Sequence, residues 1–370
     1  MARSRPISKL LPWIVLNAAN ITFDVASHLQ LFASIYGDGI MEALTLGNGT
    51  TVMKREDCIW RRGENRDPCP DPDVKYYFYG QGNIAEEVKG EPLSWVRESQ
   101  HDPTKDTVVL VHGYAGISDE LPMGVLRDAY LRNGSFNVYT VDWSPLSRVP
   151  CYAAAVHNMK PVSRCVAAFL TFLRDAGVET SRTTCVGHSL GAHVCGIASN
   201  YLFFRMHRII GIDPARPLIR SQLQGRLDAG DAKVVQVIHT SSTFGDARRS
   251  GHVDFCVNGA RSQPFCANAT NESLCSHIRS VCWLAESLDG ARARIGSPCL
   301  RRCLTGSIRP SWDRRGLPVP LGHQTPDWVE GLFCVNTDEA PYCPTEEHPI
   351  GNPLCCVPPK SPISSNLIEK

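Results

Sequence analysis

A serine with a glycine two residues away on either side constrains this chain more than any other feature. Positions 185–191 read Cys-Val-Gly-His-Ser-Leu-Gly. Residues 183–186 are short, apolar and β-prone, which is typical of a buried strand. Residues 190–204 contain no proline and favour a helix. A strand that turns this sharply into a helix exposes the Ser189 hydroxyl and needs small flanking residues at Gly187 and Gly191.

Strands and helices alternate along the rest of the chain. The clearest helix is predicted over residues 161–176, where apolar residues fall on one face and Gly177 follows as a stop. The alternation predicts an α/β fold, with helices on both faces of a mostly parallel sheet. With the sharp serine turn, the fold class is that of an α/β-hydrolase. The further short strands are predicted over residues 74–79, 108–111, 138–141, 208–212 and 233–238.

A serine becomes a nucleophile when a histidine takes its proton and a carboxylate orients that histidine. In this fold class the chain order is serine, acid, histidine, so both partners should follow Ser189. Asp213 is the acid candidate because it ends a strand and Pro214 breaks the chain directly afterwards. The rival carboxylates are Asp246 and Asp254.

The spacing of the histidines leaves the general base open. Three histidines lie downstream of the acid, namely His239, His252 and His277. His277 follows a cysteine that could fix its loop, and His252 stands in the run Gly-His-Val-Asp-Phe. Order and spacing alone do not choose between them.

An oxyanion hole requires two backbone N–H donors near the nucleophile. We expect one from Leu190, at the start of the helix after the serine. The other should come from the loop after an early central strand, where Tyr114 follows His112-Gly113. We interpret His112 as a buried histidine that shapes this loop.

The cysteine content predicts an oxidising compartment. The chain has 16 cysteines without zinc-site spacing, which favours disulfides and secretion. The sequence does not fix their pairing, and Cys185 and Cys195 are either bridged or buried free thiols. The net charge of +1 does not indicate a nucleic-acid partner. Glycosylation is predicted at Asn-X-Ser/Thr sites, which begin at Asn20, Asn48, Asn133, Asn268 and Asn271.

Composition divides the chain into four parts. Residues 1–25 combine a basic start with a short apolar run, which predicts a signal peptide or leader. Residues 26–73 form an N-terminal extension that is rich in charge and proline towards its end. The hydrolase domain is predicted over residues 74–345, and residues 346–370 form a C-terminal tail.

Taken together, these motifs resemble the pancreatic-type neutral lipases, and in character the secreted arthropod phospholipases A1. The matching runs include residues 109–114, 139–144, 187–193, 211–215, 251–255 and 276–280. The resemblance implies a catalytic triad of Ser189, Asp213 and His277, and it assigns His252 and Asp254 to a structural strand. It implies a carboxylic-ester hydrolase that acts on lipids without a metal or other cofactor.

In this family a loop bounded by two cysteines covers the active site, which here implies a lid between Cys266 and Cys275. Only eight mostly polar residues lie between them, too few for a long amphipathic lid. The resemblance associates short lids with phospholipase A1 activity, the release of the sn-1 acyl chain. Cys256, which stands where relatives have an aromatic residue, is a competing partner for the lid cysteines.

The expected partners are a lipid substrate and, transiently, a membrane or lipid interface. No colipase is implied, because too little chain follows Cys334 for the family's lipid-binding β-sandwich. One alternative substrate is a triacylglycerol or a galactolipid. An alternative of another class is a noncatalytic lipid-binding or storage protein on the same fold.

Overall fold

The fold is known from a computed structural model. It describes residues 58–62, 68–80, 84–219, 222–267, 269, 271–290, 292–299, 303, 317–339 and 354–355. All of these residues belong to one compact unit, Cys58–Pro362. The predicted leader, residues 1–25, and most of the predicted tail lie outside the described residues. No helix in the described ranges is long and apolar enough to cross a membrane.

A sheet of eleven strands forms the centre of this unit, in the order β10-β9-β11-β8-β7-β6-β5-β3-β4-β1-β2. The seven neighbouring strands β11-β8-β7-β6-β5-β3-β4 run parallel to one another. The two strands at each edge of the sheet pair antiparallel. The strands are β1 Lys75–Tyr79, β2 Ala85–Glu87, β3 Asp106–Val111, β4 Phe136–Asp142, β5 Thr183–His188, β6 Arg208–Ile212, β7 Val234–His239, β8 Val253–Val257, β9 Ile295–Pro298, β10 Val319–Pro320 and β11 Gly331–Val335.

Helices cover both faces of the sheet, as the α/β-hydrolase prediction requires. Alternate residues of the central strands, such as Val109 and Cys185, join one core with the two helices α4 and α5. Helices α2 and α7 pack together against the other face. The helices are α1 Pro92–Glu98, α2 Met123–Asn133, α3 Ser144–Ser147, α4 Tyr152–Asp175, α5 Leu190–Ser199, α6 Glu272–Ile278 and α7 Ser280–Ser287.

Helix α4 begins nine residues earlier than the sequence predicts and continues through Pro161. Tertiary contacts hold the additional turns. The buried Asn158 amide donates to Ile59 O at 2.8 Å and accepts from Arg61 N–H at 3.0 Å. Disulfides join the helix or its N-cap to the preceding segment, as Cys58–Cys151 and Cys69–Cys165. The segment before the predicted domain boundary at residue 74 is thus anchored on the domain.

Helix α5 ends at Ser199, five residues before the predicted end. Polar side chains at its last turn bond to the helix's own carbonyls: Ser199 Oγ donates to Gly196 O at 2.7 Å and Asn200 Nδ2 to Ile197 O at 3.2 Å. Such bonds compete with the continuing backbone ladder and favour termination.

The cysteines of the described residues are paired. The pairs Cys185–Cys195 and Cys266–Cys275 are both disulfides, so the free-thiol alternative for Cys185 and Cys195 is wrong. Cys256 pairs with Cys303 and does not compete for the lid cysteines. The remaining disulfides of the described residues are Cys282–Cys355 and Cys299–Cys334. The disulfide-rich prediction is confirmed.

A buried carboxyl supports the C-terminal end of helix α5. Burial raises the pKa of Asp231 to about 7. Its Oδ2 accepts from Asp228 N–H at 2.8 Å, and its Oδ1 lies 3.0 Å from the Ser199 hydroxyl, which also lies 2.7 Å from Gly196 O. A protonated Oδ1 completes this arrangement, because it donates to Ser199 Oγ while Ser199 donates to Gly196 O.

We expect Asp231→Asn to remove a pH-dependent loss of stability. Folding raises the pKa of this carboxyl, so the folded protein binds a proton that the unfolded chain releases between about pH 4 and 7. Stability therefore falls by roughly 3 kcal/mol as pH rises through this window. Asparagine mimics the neutral acid, since its amide can donate to Ser199 and its oxygen can accept from Asp228. Urea unfolding at pH 4.5 and 7.5 measures the slope, and an unchanged slope in the variant would contradict the assignment.

Candidate active site

The turn around Ser189 is built by two close backbone approaches. A Cβ atom on Gly187 would lie 2.2 Å from Gly191 O, and one on Gly191 would lie 2.1 Å from Val111 O. Ser189 itself has φ +57° and ψ −120°, a strained backbone for a residue with a side chain. Backbone bonds hold it, with Ser189 N–H donating to Ile212 O at 3.0 Å and Ala215 N–H donating to Ser189 O at 3.2 Å. The serine is therefore fixed at the carboxyl edge of the sheet.

The structure brings Ser189, His277 and Asp213 into one chain of hydrogen bonds. His277 Nε2 lies 2.8 Å from Ser189 Oγ, and His277 Nδ1 lies 2.6 Å from Asp213 Oδ2. Because the carboxylate can only accept when ionised, Nδ1 carries the proton and Nε2 faces the serine hydroxyl as an acceptor. All three side chains are buried or nearly so.

Asp213 is completely buried, and its second oxygen is satisfied by backbone donors. Oδ1 accepts from Thr240 N–H at 2.8 Å and from Ser241 N–H at 3.1 Å. These bonds stabilise the negative charge of the carboxylate. A Cβ atom on Gly245 would lie 2.3 Å from Asp213 Oδ1, so only glycine leaves room for the carboxylate there.

The rival residues of the sequence analysis lie elsewhere. Asp246 forms an ion pair with Arg248 at 2.6 Å. Asp254 lies on β8 and bonds to His239 Nε2 at 2.9 Å. His252 Nδ1 accepts from Val235 N–H at 3.0 Å, between strands. Each of them satisfies a structural contact, and none of these contacts involves Ser189.

The loop predicted to contribute to the oxyanion hole touches Ser189. A Cβ atom on Gly113 would lie 2.7 Å from Ser189 Cβ, so the loop backbone and the serine are in contact. His112 Nδ1 donates to Gly113 O at 2.8 Å, while its Nε2 accepts from Trp143 N–H at 3.0 Å. The C=O and N–H groups of a trans peptide point in opposite directions. Because Gly113 O faces the His112 ring, the N–H of Tyr114 points away from that ring. Leu190 is the first residue of helix α5, where backbone N–H groups lack helical acceptors.

His277 is carried by helix α6, which begins inside the loop bounded by Cys266 and Cys275. Asn271 caps this helix, with its Oδ1 accepting from Leu274 N–H at 2.9 Å. Residues 268 and 270 of the loop lie outside the described residues. The disulfide thus joins the start of this loop directly to the helix that carries His277.

The turn around Ser189 contains a histidine, His188, that the sequence alone did not identify as a support for His277. His188 Nε2 donates to His277 O at 3.0 Å, and Ser280 Oγ donates to the same carbonyl at 2.5 Å. Burial lowers the pKa of His188 to about 3, so it is neutral. His188 lies inside the serine turn, but no signal in the sequence linked it to His277.

A second buried histidine lies behind Asp213. His239 precedes Thr240, and both of its ring nitrogens face acceptors: Nδ1 lies 2.6 Å from Asp246 O and Nε2 lies 2.9 Å from Asp254 Oδ1. Burial alone would lower the pKa of His239, but the bonded Asp254 carboxylate outweighs burial and raises the pKa. A doubly protonated ring satisfies both contacts.

The chain matches known proteins over most of its described length. The family model described as Lipase matches residues 61–302, more than half of the chain. The chain belongs to the lipase family. "Phospholipase A1 member A" of Mus musculus is 34% identical over 272 residues, which is 68% of this chain and 59% of the relative. "Phospholipase A1 3" of the wasp Polistes dominula is 32% identical over 255 residues, 64% of this chain and 79% of the relative.

The chain spans between 48 and 59% of the length of the mouse, rat and cow relatives. Among solved structures, a hydrolase of the alpha/beta superfamily from Xanthomonas campestris is 16% identical, with a TM-score of 0.30 over 36% of this chain and 71% of that chain. The resemblance to a lipase family, expected from the motifs, is confirmed by the family match.

We expect His239→Gln to destabilise the lipase fold most below neutral pH. A raised folded pKa means that the charged ring contributes stability that is complete below pH 6.5 and is lost as pH rises through the folded pKa. Loss of one partner of a buried ion pair costs about 3 kcal/mol. Urea unfolding at pH 6 and pH 9 should give a deficit that is larger at pH 6. An equal deficit at both pH values would show that the ring is neutral when folded.

Proposed function

We propose that this protein is a secreted carboxylic-ester hydrolase that releases the sn-1 acyl chain of phospholipids, a phospholipase A1. The hydrogen-bonded chain from Ser189 through His277 to Asp213 carries the ester-hydrolase part of this proposal. Membership in the lipase family and the names of the mouse and wasp relatives support the lipid substrate.

The reaction follows from the protonation pattern of these three residues. Ser189 Oγ attacks the acyl carbonyl while His277 Nε2 takes its proton, and Asp213 stabilises the imidazolium that forms. The Leu190 and Tyr114 N–H groups hold the oxyanion. His277 returns the proton to the leaving alcohol, then activates a water that releases the fatty acid from the serine. No metal or cofactor takes part in this sequence.

The short lid supports a phospholipid over a triacylglycerol or a galactolipid. The Cys266–Cys275 disulfide ties the loop to helix α6, and the side chain of Ser273 contacts Thr243 at 3.2 Å. The eight residues between the two cysteines are too few to form a long amphipathic lid over the serine. Secretion is supported by the seven disulfides of the described residues, because such bonds persist in oxidising compartments.

Labelling with a fluorophosphonate probe tests the nucleophile. The wild-type protein should be labelled and Ser189→Ala should not, since the Ser189 hydroxyl bonds to His277 Nε2. Ser273→Ala is the matched control, because this half-buried serine lies on the same helix as His277 and its hydroxyl donates to Thr243 Oγ1 at 3.2 Å. Folded, unlabelled wild-type protein would favour the noncatalytic lipid-binding alternative.

Product analysis tests the substrate. A phospholipid with different acyl chains at sn-1 and sn-2 is incubated beside a triacylglycerol and a galactolipid, and the released acids are identified. We expect the sn-1 acid from the phospholipid, with turnover reduced at least 10⁴-fold in Ser189→Ala. Turnover of triacylglycerol without turnover of phospholipid would overturn the argument from the lid and leave the ester-hydrolase proposal intact.

A further inference from the structure

A strained turn lies at the rim of the candidate site. Residues Arg216–Ile219 form a turn closed by Ile219 N–H donating to Arg216 O at 3.2 Å. Proline at its second position and a positive φ of +60° at Leu218 are the features of a type II turn. Glycine is the favoured residue at that third position, and a leucine there is strained.

Folding does not explain this leucine. Its side chain is 55% exposed, so it gains little from burial. Its backbone conformation is unfavourable for any residue with a Cβ atom. Leu218 therefore places an apolar side chain in solvent and lowers the stability of the folded protein.

The turn is mounted rigidly beside the nucleophile. Arg216 N–H donates to Phe244 O at 2.8 Å, and the Tyr152 hydroxyl donates to Pro217 O at 2.9 Å. Ile219 packs against the main core. The residue before the turn, Ala215, donates to Ser189 O. An exposed apolar group is thus held in a fixed position at the carboxyl edge of the sheet, where the serine lies.

Arg216 places a basic side chain in the same turn as Leu218. Arg216 is exposed, and its Nη1 donates to Ser242 O at 2.7 Å. Among the residues that the structure describes, no carboxylate lies within ion-pair distance of this guanidinium, whereas Arg182 and Arg248 each pair with an aspartate. A guanidinium has five N–H donors, so most of them remain for an external anion.

We propose that the turn Arg216–Ile219 docks the protein on a phospholipid bilayer. Leu218 inserts among the acyl chains, and Arg216 binds the lipid phosphates at the level above them. An apolar side chain beside an arginine matches the layered chemistry of a bilayer surface, apolar inside and anionic at the phosphates. This inference rests on the proposed function, because it supplies the contact that delivers phospholipid to Ser189.

Vesicle binding tests the turn without hydrolysis. All variants are made in Ser189→Ala protein, and binding is measured by flotation with phosphatidylcholine vesicles, with and without phosphatidylglycerol. Leu218→Gly should weaken binding to both vesicles about tenfold, the equivalent of one buried leucine. Arg216→Gln should weaken binding about fivefold, chiefly to the anionic vesicles.

Two matched controls lie at the other end of strand β6. Phe203 is fully exposed and Arg205 is exposed, and both precede the strand that ends at the site. Phe203→Ala and Arg205→Gln should bind vesicles as the parent does. Equal binding by Leu218→Gly and the parent, or an equal loss in Phe203→Ala, would overturn the proposal.

Stability and activity measurements separate a loss of membrane docking from a folding defect and from a loss of ester hydrolysis. Leu218→Gly removes the backbone strain, so its thermal unfolding midpoint should equal or exceed that of the parent. With Ser189 restored, the ratio of vesicle hydrolysis to hydrolysis of a soluble short-chain ester should fall about tenfold in Leu218→Gly and stay at the wild-type value in Phe203→Ala. Absence of all ester hydrolysis would refute the proposed function, while the flotation result would still decide the docking.

Discussion

The contact between the start of helix α5 and the ends of strands β3 and β5 is the constraint on which the site depends. Gly187 and Gly191 leave no room for a Cβ atom, so the helix approaches the sheet at backbone distance. This approach forces Ser189 into a positive φ and turns its side chain out of the sheet. The Cys185–Cys195 disulfide joins the strand before the turn to the helix after it, which opposes relaxation of the strained residue.

Buried histidines with different protonation patterns surround this contact. His112 uses one nitrogen as donor and one as acceptor, and so does His193, which donates to Ala215 O and accepts from Leu227 N–H. His188 donates to the backbone of His277. Both ring nitrogens of His239 lie within hydrogen-bond distance of acceptors, one of which is the buried Asp254 carboxylate. Hydrogen-bonded imidazole rings thus fix the loops around Ser189, while the doubly protonated ring of His239 lies behind the Asp213 carboxylate.

Much of this arrangement could be predicted from the sequence, because local patterns determine it. The glycine spacing indicated the turn, and the strand runs indicated a parallel sheet whose carboxyl edge collects the functional residues. Choosing His277 over His239 and His252 needed a family resemblance, since loop paths depend on tertiary packing. The start of helix α4 was mispredicted for the same reason: local propensity predicts a start at Pro161, whereas Asn158 and two disulfides support the helical turns that precede this proline.

The disulfide between Cys266 and Cys275 couples the length of the loop to the orientation of the His277 ring. Its second cysteine lies two residues before His277, on the same short helix. A lid on a hinge can be lengthened, shortened or exchanged while the catalytic base stays in place. Here any change in loop length pulls on the turn of helix that sets the angle of the imidazole. Lid grafts from longer relatives should therefore be designed together with the 276–280 segment, as one module.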